Sequence, residues 1–171
     1  MTKNQIAAQI RQTSRLTGVF TLRSGKTSNE YFDKYQFESD PVLLDAITDI
    51  LIPLIPEEAQ VLAGLEMGAL AVAAALSSKT GVKTAFVRKK PKEYGTRKFC
   101  EGADVSGKNV CVIEDVVTTG GQIIESADML RGIGAKVSVV VCVILREERA
   151  KDILAAEGLQ LRYGFTIDEL A

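Results

Sequence analysis

The chain has 171 residues, of which 46% are hydrophobic, and its 21 basic and 22 acidic side chains leave a formal charge of −1. This balance excludes a general attraction to nucleic acid or to an anionic membrane, so we expect neither partner and expect any anion site to be built locally. The sequence contains no histidine, which excludes a Ser/His/Asp triad, a histidine-ligated metal and a histidine proton shuttle.

A chain of this length has room for one hydrophobic core, and we predict a single domain over residues 1–171. No stretch approaches the roughly 18 apolar residues of a transmembrane helix, and the first residues lack the apolar region of a signal peptide. Cys111 and Cys142 lie in aliphatic runs, where cysteine acts as a small hydrophobe, and the third cysteine is Cys100. We therefore expect a soluble cytoplasmic protein without disulfides.

Helical and strand-like segments alternate along the chain. Helical periodicity predicts helices over residues 3–16, 41–52, 68–79, 121–133 and 147–157. Asp40 and Pro41 are the expected N-cap and first residue of the second helix. Continuous aliphatic runs, typical of strands covered on both faces, predict strands over residues 61–64, 84–88, 109–113 and 137–145. The alternation predicts an α/β fold with a parallel sheet, interrupted by residues 20–34 and 88–102.

A candidate phosphate site follows the third predicted strand. Residues 110–122 read VCVIEDVVTTGGQ, in which Glu114 and Asp115 leave the strand and Thr118, Thr119 and two glycines precede a helix. A turn that opens a helix offers unpaired N–H groups and the positive end of the helix dipole to an anion. Adjacent carboxylates on an extended strand would point to opposite sides, which suits two acceptors for the vicinal hydroxyls of a ribose. The alternative for an isolated TTGG is a capped helix start with ordinary surface acids.

Residues 88–98, RKKPKEYGTRK, form a basic loop. Six lysines and arginines against Glu93 give a local excess of five positive charges, and Pro91 and Gly95 argue against regular structure. Such a loop repels itself, and a polyanion such as pyrophosphate would order it. Positive charges that close over a departing pyrophosphate would stabilise the transition state. The alternative is a solvated basic loop or a nucleic-acid patch.

The string at residues 110–122 matches the motif with which type I phosphoribosyltransferases bind 5-phosphoribosyl diphosphate (PRPP), and it lacks the GK[ST] ending of a P-loop. Within that family the chain resembles the orotate phosphoribosyltransferases. The resemblance implies a central, mainly parallel sheet flanked by helices, with a small N-terminal hood of about residues 1–36. It also implies that the turn holds the 5-phosphate and that the acidic pair holds the ribose hydroxyls. The implied PRPP-binding residues here are Glu114, Asp115, Val116, Val117, Thr118, Thr119, Gly120, Gly121 and Gln122.

The basic loop resembles the catalytic loop of the same family, which has the form Arg-Lys-x-x-Lys-x-x-Gly. Arg88, Lys89 and Lys92 occupy the matching positions and are implied PRPP contacts. Lys89 and Lys92, together with Asp115, are implied to be catalytic. Tyr94 stands where bacterial members often have a histidine that contacts pyrophosphate, and tyrosine can still donate one hydrogen bond. In the family this loop reaches into the neighbouring subunit, which implies a homodimer with shared active sites.

Two segments resemble the family's orotate pocket. The first, FTLRSGKTSNEYFDK, resembles the hood signature: Arg23 could pair with a carboxylate or phosphate, and Tyr31 and Phe32 could form an aromatic and backbone wall for a pyrimidine. Arg146, after the last predicted strand, matches the orotate-binding arginine, with Thr118 as its companion. The alternatives are a hairpin with core aromatics for the first segment and a helix-capping arginine for Arg146.

The segment AGLEMGALA resembles the family's short pyrophosphate-binding loop, in which Gly64 and Gly68 suit a tight turn. Some members have lysine where this chain has Met67, so any phosphate contact here would come from backbone N–H groups. The resemblance as a whole runs from about Phe20 to Arg149.

The resemblance implies that orotate and PRPP react to give orotidine 5′-phosphate and pyrophosphate, a pentosyl transfer in pyrimidine (UMP) synthesis, with Mg²⁺ as cofactor held mainly by PRPP. The ring nitrogen of orotate is nucleophilic once deprotonated, so positioning and charge stabilisation suffice without histidine. Two alternatives stay open. One is another base, such as adenine or xanthine, on the same scaffold. The other is a PRPP-sensing regulator that binds nucleic acid, although such proteins typically need a basic face or an added domain.

Overall fold

The computed structural model describes residues 1–21, 25–95 and 98–170. The first elements are α1 (Lys3–Ser14), the antiparallel hairpin of β1 (Arg15–Thr21) and β2 (Thr27–Phe32), α2 (Lys34–Ser39) and α3 (Pro41–Leu51), the last followed by a 3-10 turn (Ile52–Leu54). Thr2 and Gln5 form a capping box at the start of α1, and Asp33 caps α2 through the N–H of Tyr35. Asp40 accepts hydrogen bonds from the first N–H groups of α3, which confirms the predicted N-cap.

A six-stranded sheet forms the centre of the fold. The remaining elements are β3 (Val61–Leu65), α4 (Ala69–Thr80), β4 (Lys83–Val87), β5 (Cys100–Gly102), β6 (Asn109–Val117), α5 (Gly121–Gly132), β7 (Lys136–Leu145), α6 (Ala150–Ala156), β8 (Gln160–Thr166) and a 3-10 turn (Asp168–Leu170). The strand order is β5-β4-β3-β6-β7-β8, and every neighbouring pair is parallel except β4 and β5. The predicted α/β class with a mainly parallel sheet is confirmed.

The sheet is covered on both faces. Ile113 and Val141 belong to the core shared with α1, α3 and α4, whereas Val112 and Val140 belong to the core shared with α5 and α6. All four side chains are completely buried. Because side chains alternate between the faces of a strand, a strand covered on both faces needs apolar residues at every position, which explains the continuous aliphatic runs.

One predicted boundary is wrong in a way that affects the site. The third strand was expected to end at Ile113, but β6 continues to Val117 because it pairs with β7 as far as Leu145. Glu114 and Asp115 therefore lie within the strand and not after it. The last α-helix, α6, begins at Ala150, three residues later than predicted, and has seven residues.

Within the described residues, five helices and strands were not predicted as separate units. The hairpin of β1 and β2 was considered only as an alternative for residues 20–34, and it begins at Arg15, inside the predicted span 3–16 of the first helix. Helix α2 has six residues and β5 has three, which are too few for a periodicity to be visible. Strand β8, with the sequence QLRYGFT, is an edge strand and mixes polar with apolar residues, so it lacks the aliphatic signature of the central strands.

Candidate active site

The predicted site residues lie at the edge of the sheet where β3, β4, β6 and β7 end. Val117 pairs with Leu145 at the ends of β6 and β7, and the N–H of Arg146 donates to the carbonyl of Val117 at 2.8 Å. The N–H of Glu66, just after β3, donates to the carbonyl of Val87 at the end of β4, at 2.9 Å. The four segments that follow these strands are therefore neighbours, at the edge where α/β sheets bind ligands.

The turn between β6 and α5 has the geometry of an anion site. Gly120 has a φ of +84°, in the left-handed region that favours glycine, and a Cβ added there would lie 3.0 Å from the side chain of Leu154. Thr118, Thr119 and Gly121 are exposed. Among the described residues no side chain caps the start of α5. Its first N–H groups and the positive end of its dipole are thus available to a phosphate.

Glu114 and Asp115 form an interacting acidic pair. Asp115 is 1% exposed, and its N–H donates to Oε1 of Glu114 at 2.9 Å. Burial and the nearby Asp115 carboxyl raise the pKa of Glu114 well above its usual range. Burial also acts to raise the pKa of Asp115, but hydrogen bonds from Glu114 and Lys34 outweigh it and lower that pKa. The negative charge therefore resides on Asp115, and the two carboxyl groups are not the independent acceptors expected from an extended strand.

Helix α2 and the β3–α4 turn also meet at Asp115. The Nζ atom of Lys34 lies 2.5 Å from Oδ2 of Asp115, and this ion pair raises the pKa of Lys34 although burial opposes it. Glu38, one turn further along α2, is 7% exposed. Burial, followed by the charge of Asp115, raises the pKa of Glu38 to about 8. Gly68 completes the contact, because a Cβ added there would lie 1.9 Å from Oδ2 of Asp115.

The backbone of the basic loop is anchored at both ends. The N–H of Arg88 donates to the carbonyl of Phe99 at 2.7 Å, and the N–H of Lys89 donates to Oε1 of Glu66 at 2.6 Å. The second bond joins the loop to the β3–α4 turn. The side chains of Arg88 and Lys89 are exposed, so their charges are available to a ligand at the strand ends.

The middle of the loop holds Lys92 and Tyr94. The ammonium group of Lys92 forms an ion pair with Glu101 on β5 and lies 6.0 Å from the centre of the Tyr94 ring. Tyr94 is 74% exposed, and Gly95 next to it has a φ of +60°. As predicted, the described part of this segment before β5 contains no helix or strand.

A cavity of about 470 Å³ lies where the hood meets the end of β7. Its lining consists of Arg11, Arg15, Glu30, Tyr31, Phe32, Arg146 and Leu170. Glu30 forms an ion pair with Arg15, so three arginines against one carboxylate leave a net positive lining. Tyr31 lies on β2, and its ring centre is 5.5 Å from that of Phe20 on β1. The cavity thus combines aromatic surface with positive charge, which suits a planar anion.

The sequence and the fold are similar to those of known proteins. Residues 36–167 match the family described as "Phosphoribosyl transferase domain". An orotate phosphoribosyltransferase of Nocardioides sp. is 48% identical over 165 residues, which are 96% of this chain and 92% of the relative. The chain belongs to the orotate phosphoribosyltransferase family. The similarity to this relative covers more of the chain than the stretch from Phe20 to Arg149 that the motifs indicated.

Further orotate phosphoribosyltransferases agree with this assignment. One from Methanocella arvoryzae is 42% identical over 159 residues, which are 92% of this chain and 91% of the relative. A crystal structure of the orotate phosphoribosyltransferase of Mycobacterium tuberculosis in complex with PRPP has a TM-score of 0.84 and 27% identity, with 98% of each chain covered. The type I phosphoribosyltransferase fold is therefore shared along nearly the whole chain.

In this member of the orotate phosphoribosyltransferase family, the predicted PRPP residues lie together at the strand ends. Val117 is buried and Val116 and Gln122 are half-buried, so the two valines offer their backbone more than their side chains. Tyr31, Phe32 and Arg146 line one cavity, but Thr118 is not part of its lining. Arg23, the fifth predicted orotate contact, lies outside the described residues.

Four residues at the site were missed by the sequence analysis, and they come in two pairs. Arg11 lies in the last turn of α1 and Arg15 is the first residue of β1, whereas Lys34 and Glu38 are four positions apart on α2. Residues at the latter spacing share one face of a helix. The Lys34/Glu38 pair was therefore visible in the sequence, but only the fold shows that this face, and the end of α1, meet the site.

Within residues 1–21, 25–95 and 98–170, no cluster of three or more cysteine, aspartate or glutamate side chains is arranged to hold a metal ion. No helix in these ranges is long and apolar enough to cross a membrane. The three cysteines are unpaired, as predicted.

Proposed function

We propose that the protein transfers the 5-phosphoribosyl group of PRPP to a ring nitrogen of orotate, giving orotidine 5′-phosphate and diphosphate for pyrimidine nucleotide synthesis. The observation that supports this most is the convergence, at one sheet edge, of a phosphate turn, an anionic Asp115, a cationic loop and an arginine-lined cavity. Each of these four features fits a different part of the two substrates. Family membership gives the reaction in which all four are used.

The turn and the acidic pair are proposed to bind the phosphoribosyl part of PRPP. The N–H groups of residues 118–122 would hold the 5-phosphate at the positive end of α5, with the hydroxyls of Thr118 and Thr119 as further donors. Asp115, which keeps its charge, would accept a hydrogen bond from a ribose hydroxyl, and Glu114 would bind its neighbour. This holds C1 of the ribose in place for attack.

The basic loop is proposed to stabilise the departing diphosphate. Negative charge builds on the leaving oxygens as the bond to C1 breaks, and Arg88, Lys89 and Lys92 would offset it. Tyr94, on the exposed part of the loop, would add one hydrogen bond. The ion pair between Lys92 and Glu101 must be exchanged for the diphosphate if Lys92 is to take part.

The cavity at the hood is proposed to hold orotate. Arg146 would bind the carboxylate of orotate with two parallel hydrogen bonds, and Tyr31 and Phe32 would cover the ring. Thr118, adjacent to the backbone of Arg146 through Val117, and Arg23 remain proposed companions. An adenine ring lacks the carboxylate that would pair with Arg146, so the cavity favours orotate.

Mg²⁺ is the proposed cofactor. This ion takes oxygen ligands and commonly binds through substrate phosphates with few protein ligands. That mode fits the site, because the anionic Asp115 lies at the strand ends beside the turn proposed to hold the 5-phosphate. The diphosphate and ribose hydroxyls of PRPP would hold the ion, beside the acidic pair. When bound, it neutralises charge on the leaving group.

We also propose a homodimer with shared active sites, in which the loop of one subunit serves the site of its partner. The exposure of Lys89 and Tyr94 supports this arrangement, because exposed side chains on this loop can reach a neighbouring subunit. A cytoplasmic location is proposed as well, since three unpaired cysteines suit a reducing compartment.

The absorbance of orotate falls as it is converted, which gives a direct test. Purified protein should consume orotate only when both PRPP and Mg²⁺ are present, and adenine, xanthine and uracil should not replace orotate. Consumption of adenine or xanthine instead would reassign the base, and PRPP binding without turnover of any base would favour a regulator.

A further inference from the structure

Two buried carboxyl groups converge on Gly68. From the point where a Cβ of Gly68 would lie, Oδ2 of Asp115 is 1.9 Å away and the two oxygens of Glu38 are 2.5 and 2.7 Å away. Both residues are more than nine-tenths buried. Apart from the ion pair of Asp115 with Lys34, neither Oδ2 of Asp115 nor Oε1 of Glu38 has a hydrogen-bond partner within the described residues.

Two buried carboxyl groups this close together, with no donor between them, are unfavourable when both are ionised. One proton on Glu38 removes the difficulty, because a carboxylic acid donates through its O–H and Asp115 accepts. The charges around Glu38 favour this state. Burial raises the pKa of Glu38 most, Asp115 on β6 and Asp33 before α2 raise it further, and Lys34 lowers it.

Lys34 completes the arrangement from the other side. Its ammonium group compensates the charge of Asp115 at 2.5 Å, and the Lys34 side chain is one-third exposed, whereas the Asp115 side chain is buried. The N–H of Val116 binds the second oxygen of Asp115, Oδ1, at 2.6 Å. The carboxylate is thus fixed in orientation by groups from α2 and from its own strand.

We propose that Glu38, as a neutral hydrogen-bond donor, and Lys34, as a counterion, are positioning residues that orient the Asp115 carboxylate for PRPP. This inference rests on the proposed function, which gives Asp115 its contact with the ribose hydroxyls. It adds that helix α2, outside the PRPP motif, controls the charge and the direction of that carboxylate. Ionisation of Glu38 would place a second negative charge beside Asp115 and impair the binding of a polyanionic substrate.

The test compares Glu38→Met, which keeps the length but has no donor, with Glu38→Gln, which keeps a donor and cannot ionise. At neutral pH, kcat/KM for PRPP should fall about tenfold in Glu38→Met, the equivalent of one buried hydrogen bond, with a smaller loss in Glu38→Gln. The KM for orotate should change much less in both. Lys34→Met should reduce kcat/KM for PRPP, and Lys34→Arg should restore part of it.

The pH profile separates positioning from a structural role. In the wild type, kcat/KM for PRPP should decline as the pH rises through about 8, because Glu38 then loses its proton. Glu38→Gln should lack this decline, while Glu57→Gln should retain it, since Glu57 is an exposed acid that precedes the start of β3, whereas the site lies where β3 ends. Unfolding in urea verifies that each variant is folded.

The inference is overturned if Glu38→Met keeps the wild-type kcat/KM for PRPP, or if Glu38→Gln shows the same alkaline decline as the wild type. Failure of the proposed function looks different. In that case the wild type itself forms no orotidine 5′-phosphate from PRPP and orotate.

Discussion

At the scale of single residues, Arg146 has the most specific proposed task, because it would distinguish orotate from bases without a carboxylate. Its backbone is fixed to Val117 by a 2.8 Å hydrogen bond, so the direction of the side chain is set by the end of β7. Arginine binds a carboxylate with two parallel hydrogen bonds, which lysine cannot reproduce.

Replacing Arg146 with methionine should raise the KM for orotate roughly tenfold to a hundredfold, the cost of one charge-assisted contact, and should leave the KM for PRPP nearly unchanged. Steady-state kinetics with each substrate varied in turn checks this. Arg149→Met is the matched control, since Arg149 is exposed, lies three residues further on and pairs with Glu147. Equal effects in the two variants would remove Arg146 from the orotate site.

A side chain at Gly68 should affect both the stability of the fold and the binding of PRPP. Its φ of −63° is open to any residue, so the cost of a side chain there arises from the clash with Asp115 and Glu38 and not from the backbone. Gly68→Ala should lower the free energy of unfolding by about 1–3 kcal/mol, as overpacking does, and should also weaken PRPP binding.

Gly132, in the last turn of α5, is the control for Gly68, because a Cβ added there meets nothing within 4 Å. Gly132→Ala should leave stability unchanged or raise it by about 0.4–1 kcal/mol. Urea unfolding of both variants gives the comparison. A Gly68→Ala variant as stable as Gly132→Ala would show that Asp115 and Glu38 are not held in the observed positions.

Sequence reasoning at this scale succeeded where a motif is contiguous and failed where a contact is made by the fold. Glu114, Asp115 and the threonines stand in one string, so they could be predicted to lie together at one site. Lys34 and Glu38 reach Asp115 from a position about eighty residues earlier in the chain. A local sequence pattern cannot reveal a contact between residues so far apart in the chain, because that contact depends on how α2 packs beside the end of β6.

At the scale of elements, the basic loop between β4 and β5 is the part with the clearest functional expectation. Its charges would act on diphosphate oxygens as they become more negative, so they would bind the transition state better than the ground state. Lys89→Ala and Lys92→Ala should each lower kcat by roughly a hundredfold, as the loss of one stabilising donor does in other enzymes, with a much smaller effect on orotate affinity.

Single-turnover and steady-state rates check the loop prediction, with Lys136→Ala as control. Lys136 is exposed and begins β7 at the opposite edge of the sheet, so its loss should not alter kcat. Unchanged kcat in both loop variants would leave the loop without its proposed role.

The central elements were predicted well because their burial dictates composition. Strands covered on both faces must be aliphatic, and helices must place apolar residues at a helical period, so β3, β4, β6, β7 and the long helices were visible. The acidic end of β6 was not, because Glu114 and Asp115 interrupt the aliphatic run while strand pairing continues to Val117. A strand that ends in an active site therefore looks shorter in sequence than it is.

At the scale of the whole molecule, the proposed dimer with shared sites makes a distinctive prediction. If the loop acts in the partner's site, a mixture of equal amounts of Lys89→Ala and Asp115→Asn chains forms mixed dimers in which one site has both defects and the other has none. After subunit exchange, about a quarter of the wild-type activity should return, since half of the dimers are mixed and each has one intact site. No recovery above the separate variants would place the loop in its own subunit's site.

The central claim is that the end of β6 and the turn before α5 bind the phosphoribosyl part of PRPP. Isothermal titration of PRPP into the protein in the presence of Mg²⁺ tests it most directly. The wild type should bind one PRPP per chain, and Asp115→Asn, which removes the charge at the end of β6, should bind about tenfold more weakly. A wild-type protein that gives no binding under these conditions would contradict the account.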